Sequence, residues 1–158
     1  MDREQEKGEE LESAVLTVDL VLLARNQIGQ VTQILLIDSK FGWSLPGGKV
    51  RRDEEITDAL QREVEEEIGV ASFRAHPLFV RHQVGRDPRG RYVSFVCRTV
   101  LPSVDQVDIQ AGSDAKEARW FSLSALPALA FDHLDMVKRA TLDLPNGLVA
   151  VEIKEKQG

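Results

Sequence analysis

Between Asp53 and Glu67 the chain carries eight acidic residues and one base, Arg62, yet the same stretch has the apolar spacing of a helix. At about 100° per residue, Ile56, Leu60, Val64 and Ile68 fall on one stripe, which a helix buries against the body of the protein. Glu67 projects between Ile56 and Leu60 on that stripe, Glu63 lies at its edge, and Glu66 stands about 60° beyond. Asp58 and Glu65 point the opposite way, toward water. The inward group is costly. Glu63 and Glu67 repel one another as an i,i+4 pair by roughly 0.2–0.5 kcal/mol. Glu66 and Glu67 also occupy the last turn, where the helix dipole disfavours anions by about 0.3–1 kcal/mol. One arginine does not neutralise three carboxylates. A divalent cation does, and an all-oxygen set with no Cys or His nearby points to Mg²⁺ or Mn²⁺. Magnesium commonly joins carboxylates to the phosphates of a substrate, so phosphate chemistry is the expected function.

The rest of the chain supplies a frame for that helix. Residues 14–24 and 33–38 are rich in Val, Leu and Ile and read as two strands, joined by a polar hairpin through Asn26 and Gly29. Trp43-Ser-Leu-Pro-Gly-Gly48 is too crowded with Pro and Gly to be a regular element. The acidic helix spans 54–68, and Gly69 stops it. Strands follow at 72–82, 91–100 and 118–122, with a further one expected at 104–109. A short helical turn at 123–129, a helix over 132–143 and a terminal strand at 148–153 complete the reading. Strands mixed with helices make a single α/β or α+β domain, with helices packed on a mixed sheet. The domain is expected over 13–153, between an acidic tail at 1–12 and a short tail at 154–158.

The 158 residues hold 20 Lys+Arg against 26 Asp+Glu, a formal charge of -6, so the surface as a whole repels nucleic-acid polymers. A small anionic ligand then needs a local basic patch or a metal. No apolar run approaches the length of a membrane span and the start lacks a secretion signal, which makes the cytoplasm the expected location. The single cysteine, Cys97, lies in an apolar strand-like run and reads as packing in a reducing compartment.

Gly48, five residues, Glu54, seven residues, then Arg62-Glu63-Val64-Glu65-Glu66-Glu67-Ile68-Gly69-Val70 matches the Nudix box at each of its nine fixed positions. The chain therefore resembles the Nudix hydrolase family. That resemblance implies a mixed β-sheet sandwiched between α-helices and hydrolysis of a nucleoside diphosphate linked to another group. It implies that Glu63, Glu66 and Glu67, with Gly48, hold the metal and that Arg62 orients Glu63. Gly47 and Gly48 let the loop backbone approach the site. Glu54 is a ligand in some members of the family and a brace in others. Glu55 stands where a Ser, Thr or Asp helix cap is more usual.

From Arg81 to Arg91 the polarity reverses, with four arginines and one Asp in eleven residues. Guanidinium forks match phosphate oxygens, so Arg86, Arg89 and Arg91 are candidate substrate-binding residues, together with Gly47. The same Arg86-Asp87-Pro88-Arg89-Gly90 run also suits a β-turn with an internal ion pair. The GRDPRGR loop, Ala111-Gly112-Ser113-Asp114-Ala115 with Trp120-Phe121, and Leu129-Ala130-Phe131-Asp132-His133 are similar to the ADP-ribose pyrophosphatase branch of the family. That branch implies ADP-ribose as substrate and a homodimer. Lys49 after the glycines looks instead like the branch that removes oxidised nucleoside triphosphates. Asp114 is a candidate extra ligand or base, with Glu117 its competitor, and either Glu63 or Asp114 would take the proton of the attacking water. Asp132 reads as the cap of the last helix, and His133 as either packing or a substrate contact. Phe41, Trp43 and Tyr92 either stack on a base or pack. A non-catalytic nucleotide sensor is the reading outside enzymes; regulators of that kind append a DNA-binding helical domain, and only about 15 residues follow the last helix here, which favours catalysis.

Overall fold

In the computed structural model, residues 8–112, 115 and 117–157 are described. The chain builds one mixed sheet from β1 (Val15–Arg25), β2 (Val31–Ser39), β3 (Gly42–Ser44), β4 (Gly47–Lys49), β5 (His76–Arg81), β6 (Tyr92–Leu101) and β7 (Glu117–Ser122). Two helices, α1 (Ile56–Ile68) and α2 (His133–Leu142), cover its faces. Apart from Thr17 and Asp19, β1 is apolar on both faces as far as Ala24 because both are buried. Val18, Leu20 and Leu22 pack toward Ala59, Leu60, Val64 and Ile68 of α1. Val21 and Leu23 pack with Met136, Val137 and Ala140 of α2 in the second core. The sheet is thus sandwiched between helices, and each fully buried Leu contributes about 1.5–3 kcal/mol by leaving water.

β1 is the organising strand. Along one edge, from Val15 to Ala24, it pairs in parallel with β6. Its other edge is shared: β4 takes Thr17 to Asp19, and β2 takes Leu23 to Arg25, both antiparallel. The fork between β4 and β2 opens beside Asp19 and Leu20, where the Leu20 amide donates to the Pro46 carbonyl at 2.8 Å. β2 also carries β3 and β7, and β5 closes the far edge on β6. Among the described residues, no helix is long and apolar enough to cross a membrane.

Several expectations change. The Gly-rich loop holds two short strands, β3 and β4, because β2 and β1 offer it free edges. Residues 104–109 form no strand; Val104–Gln106 is a 3-10 turn started by the Ser103 side chain, which accepts the Asp105 amide. Residues 123–129 are a turn rather than helix. The stretch 148–153 packs Leu148, Val149, Val151 and Ile153 on the second core without strand pairing. Just beyond it, Lys154 and Lys156 bond through their backbone to Leu123 and Leu126, so the expected tail at 154–158 is tied down as far as Lys156.

Candidate active site

The junction of β1, β4 and α1 sets the geometry. Gly69 ends α1 in the left-handed conformation at φ 75°, its amide bonding to the Glu65 carbonyl. No basic residue occupies the last turn; instead the amides of Gln110 and Gly112 donate to the carbonyls of Ile68 and Glu67. The acidic end of the helix is therefore held by backbone donors. Glu67 is buried, as its place on the apolar stripe requires, and its Oε1 accepts the Gly47 amide at 2.7 Å. One glycine further on, a Cβ at Gly48 would fall on the Glu63 carboxylate. Gly48→Ala is accordingly expected to cost about 1–3 kcal/mol by overpacking and to drive Glu63 out of place. Thermal unfolding and turnover should fall together, and unchanged turnover would show that the position of Glu63 is immaterial.

Arg62 gathers the remaining carboxylates. Its Nε and Nη2 fork donates to both oxygens of Glu54 at 2.8 and 2.9 Å, and Nη1 donates to Glu63 Oε1 at 2.8 Å. Nη2 also reaches the Lys49 carbonyl at 2.9 Å, which ties α1 to β4. Glu54 accepts the Arg51 amide as well, so it acts as a brace, and the Arg62 hydrogen bonds lower its pKa to about 2. The same pairing raises the Arg62 pKa. Burial pushes the Glu63 carboxyl upward against the pull of Arg62, and the net direction is up. Glu66 is half exposed, 3.4 Å from Arg62 and 3.8 Å from Arg51. Glu55 caps α1 without a side-chain hydrogen bond.

Glu63 and Glu67 line a cavity of about 430 Å³ together with Gly47 and Gly48. Glu66 stands outside that lining, and among the described residues no three Asp, Glu, His or Cys side chains close on a single point. The donor chemistry nevertheless suits a hard divalent cation: two carboxylates on one helix face and a glycine whose missing Cβ leaves Glu63 its space. Asp114 lies outside the described residues. Its competitor Glu117 is spent on Arg119, away from the cavity.

Across β1 from β4, the loop between β5 and β6 brings Arg86 and Arg89 to the same cavity. Each arrives with a carboxylate partner. Arg86, almost fully buried, donates through Nε and Nη2 to both oxygens of Asp132 at 3.0 and 2.8 Å. Asp132 therefore binds Arg86 and makes no side-chain cap on α2. Arg89 pairs with Asp87, the internal ion pair of the turn, at 2.7 Å. Burial raises the Asp87 pKa, but the Arg89 hydrogen bonds outweigh it and the net shift is downward. The Arg89 guanidinium also lies 4.4 to 4.9 Å from the ring centres of Tyr92, Phe41 and Phe131. Phe131 holds φ at 53°, which costs an aromatic residue about 1–3 kcal/mol. Arg91 is turned to Glu12 at 4.0 Å and does not line the cavity. Trp43 packs edge-on against Phe121, and Cys97 is buried in the first core, its thiol pKa raised by burial.

Sequence reasoning missed Asp19. It is 7% exposed in the middle of β1, lines the cavity, accepts a hydrogen bond from Ser94 Oγ, and has Oδ1 3.7 Å from His133 Nε2. A lone acid inside Val15–Leu23, a stretch otherwise apolar but for Thr17, was the available signal. His133 is buried in the wall of the same cavity.

Comparison with known proteins agrees with this geometry. The chain is 40% identical over 111 residues to the ADP-ribose pyrophosphatase of Methanocaldococcus jannaschii; the match takes in 67% of this chain and spans 64% of that protein's length. A crystal structure of a MutT/nudix family protein from Enterococcus faecalis superposes with a TM-score of 0.72 at 31% identity, over 89% of this chain and 66% of that one. The NUDIX domain of Shewanella oneidensis NrtR, solved as a cocrystal with ADP ribose, superposes with a TM-score of 0.73 over 92% of this chain and 100% of that one. At 23% identity this last likeness is one of fold. The NUDIX domain matches residues 8–140, the stretch that builds the sheet, α1, most of α2 and the cavity between β1 and α1, and the chain belongs to that family.

Proposed function

We propose that the chain hydrolyses the pyrophosphate bond of a nucleoside diphosphate linked to another moiety, with ADP-ribose the favoured substrate, giving AMP and ribose 5-phosphate. The observation that carries this reading is the meeting of Glu63, Glu67, Gly47 and Gly48 with Arg86 and Arg89 around one cavity. Its substrate rests on the 40% identity to an ADP-ribose pyrophosphatase. Glu63, Glu66, Glu67 and Gly48 are the residues that would hold Mg²⁺ or Mn²⁺. Such a cation, when bound, neutralises phosphoryl charge and makes water a better nucleophile. The chain itself does the rest. Arg86 and Arg89, already oriented by Asp132 and Asp87, present guanidinium edges to the anionic substrate. Arg62 fixes the Glu63 carboxylate. Glu63, held in place by Arg62, is the first candidate to accept the proton of the attacking water. Asp114 is the second candidate for that role. The water oxygen bonds to one phosphorus as the bridging oxygen departs with the other, and two phosphate monoesters leave.

The test is incubation of the pure protein with Mg²⁺ or Mn²⁺ and ADP-ribose, NADH, diadenosine polyphosphates and oxidised deoxynucleoside triphosphates, with products separated by chromatography. AMP and ribose 5-phosphate from ADP-ribose are expected. Pyrophosphate released from an oxidised triphosphate, with ADP-ribose untouched, would move the substrate to the other branch. Tight binding of ADP-ribose without any turnover would make the chain a sensor.

A further inference from the structure

We propose that Asp19 and His133 form a selective contact in the cavity for a neutral ligand group that accepts one hydrogen bond and donates another, and that this contact decides which nucleotide the site takes. The proposal rests on the hydrolase reading and adds to it the feature of the substrate that is read.

His133 Nδ1 accepts the Leu45 amide at 3.0 Å, so that nitrogen carries no proton. The imidazolium form would set one N–H against another. Neutral imidazole then keeps its proton on Nε2, and burial, which lowers the His133 pKa, reinforces that state. The ring is further held by the edge of Phe131, 5.7 Å between centres. Nε2–H is therefore a fixed donor, and it faces Asp19 Oδ1 at 3.7 Å, beyond direct hydrogen-bond length. The other oxygen of Asp19 is taken by Ser94 Oγ–H. A donor and an acceptor thus stand side by side in the cavity wall, each clear of the other, where a ligand that covers them without pairing leaves both hydrogen bonds unmade.

A phosphate oxygen accepts from Nε2–H but has no proton for Asp19, and its charge opposes the carboxylate. An apolar group leaves both partners unsatisfied. A sugar hydroxyl does both jobs with one atom, and the edge of a nucleobase does them with two neighbouring atoms. These share one chemistry, and sites that pair with such a group reject analogues lacking it far more strongly than apolar pockets reject a missing methylene. Arg86 and Arg89 bind charge; Asp19 and His133 read identity.

Calorimetric binding of the half-products separates the sources. AMP is compared with inosine monophosphate, whose base edge exchanges donor and acceptor, and ribose 5-phosphate with 2-deoxyribose 5-phosphate, which lacks one hydroxyl. Wild-type protein is expected to discriminate at least about tenfold within one pair, and the pair that responds names the group read. In Asp19→Asn, which keeps the size of the side chain and its bond to Ser94, that ratio is expected to fall to about threefold or less. A ratio is insensitive to a modest loss of folded protein, and His133→Gln, which retains an acceptor for the Leu45 amide, provides the second variant. Wild-type ratios preserved in Asp19→Asn, or no discrimination within either pair by the wild type, would overturn the proposal. Turnover of ADP-ribose by the wild type reports separately on the hydrolase reading.

Discussion

Replacing Glu67 with glutamine is expected to lower kcat for ADP-ribose by about 10²–10⁴-fold while the protein stays folded. Gln keeps an oxygen for the Gly47 amide, so the contact between α1 and β4 survives. What disappears is the negative charge that would hold a divalent cation beside Glu63. A bound metal supplies several kcal/mol of transition-state charge stabilisation, and each 1.36 kcal/mol is about tenfold in rate. Steady-state kinetics beside a thermal melt make the comparison. Turnover within tenfold of wild type, with the melt unchanged, would remove Glu67 from the reaction. Glu66, half exposed and outside the cavity lining, should show a smaller loss for the same substitution.

Arg62→Ala should be among the most destabilising single changes at the site. Its guanidinium serves Glu54, Glu63, Glu66 and the Lys49 carbonyl at once. Truncation leaves Glu54 and Glu63, with side chains 14% and 18% exposed, without their guanidinium and with only the exposed Arg51 nearby. Breaking a fully buried pair costs about 3–5 kcal/mol and a surface pair at most about 1 kcal/mol, so the half-buried Arg62–Glu63 pair is expected to cost roughly 1–3 kcal/mol. Urea unfolding measures it. Arg62→Lys restores the charge without the fork, so it should recover part of the stability but little of the turnover, because an ammonium cannot hold Glu54 and orient Glu63 together. Equal recovery of both would reduce Arg62 to a charge.

Much of this arrangement is legible in the sequence because α1 obeys a local rule. Its apolar stripe fixes which side faces the sheet, and the inward turn of Glu67 follows from that spacing alone. The Asp87–Arg89 turn is likewise local. What the chain hides is long-range. Gly47–Lys49 is extended only because Thr17–Asp19 offers it an edge, and no property of three such residues announces a strand. Asp132 reads as a helix cap, but its partner Arg86 arrives from 46 positions away. The terminal run 148–153 has strand-like residues and finds core instead of a free edge, which packing decides and periodicity does not. Asp19 is concealed by its apolar neighbours, since a single acid in a strand carries no spacing to interpret.

The unequal bonding of β1 has a consequence for how related ligands are told apart. One side of the strand is stitched to β6 without interruption, so its inner residues cannot yield to a ligand of the wrong shape. The tip that carries Lys40 and Phe41 and the turn of Arg86–Gly90 line the cavity outside that pairing. Evolution toward a new substrate would accordingly exchange side chains on that strand, such as Asp19, without moving its backbone, and would redraw the backbone only at those two hairpin ends.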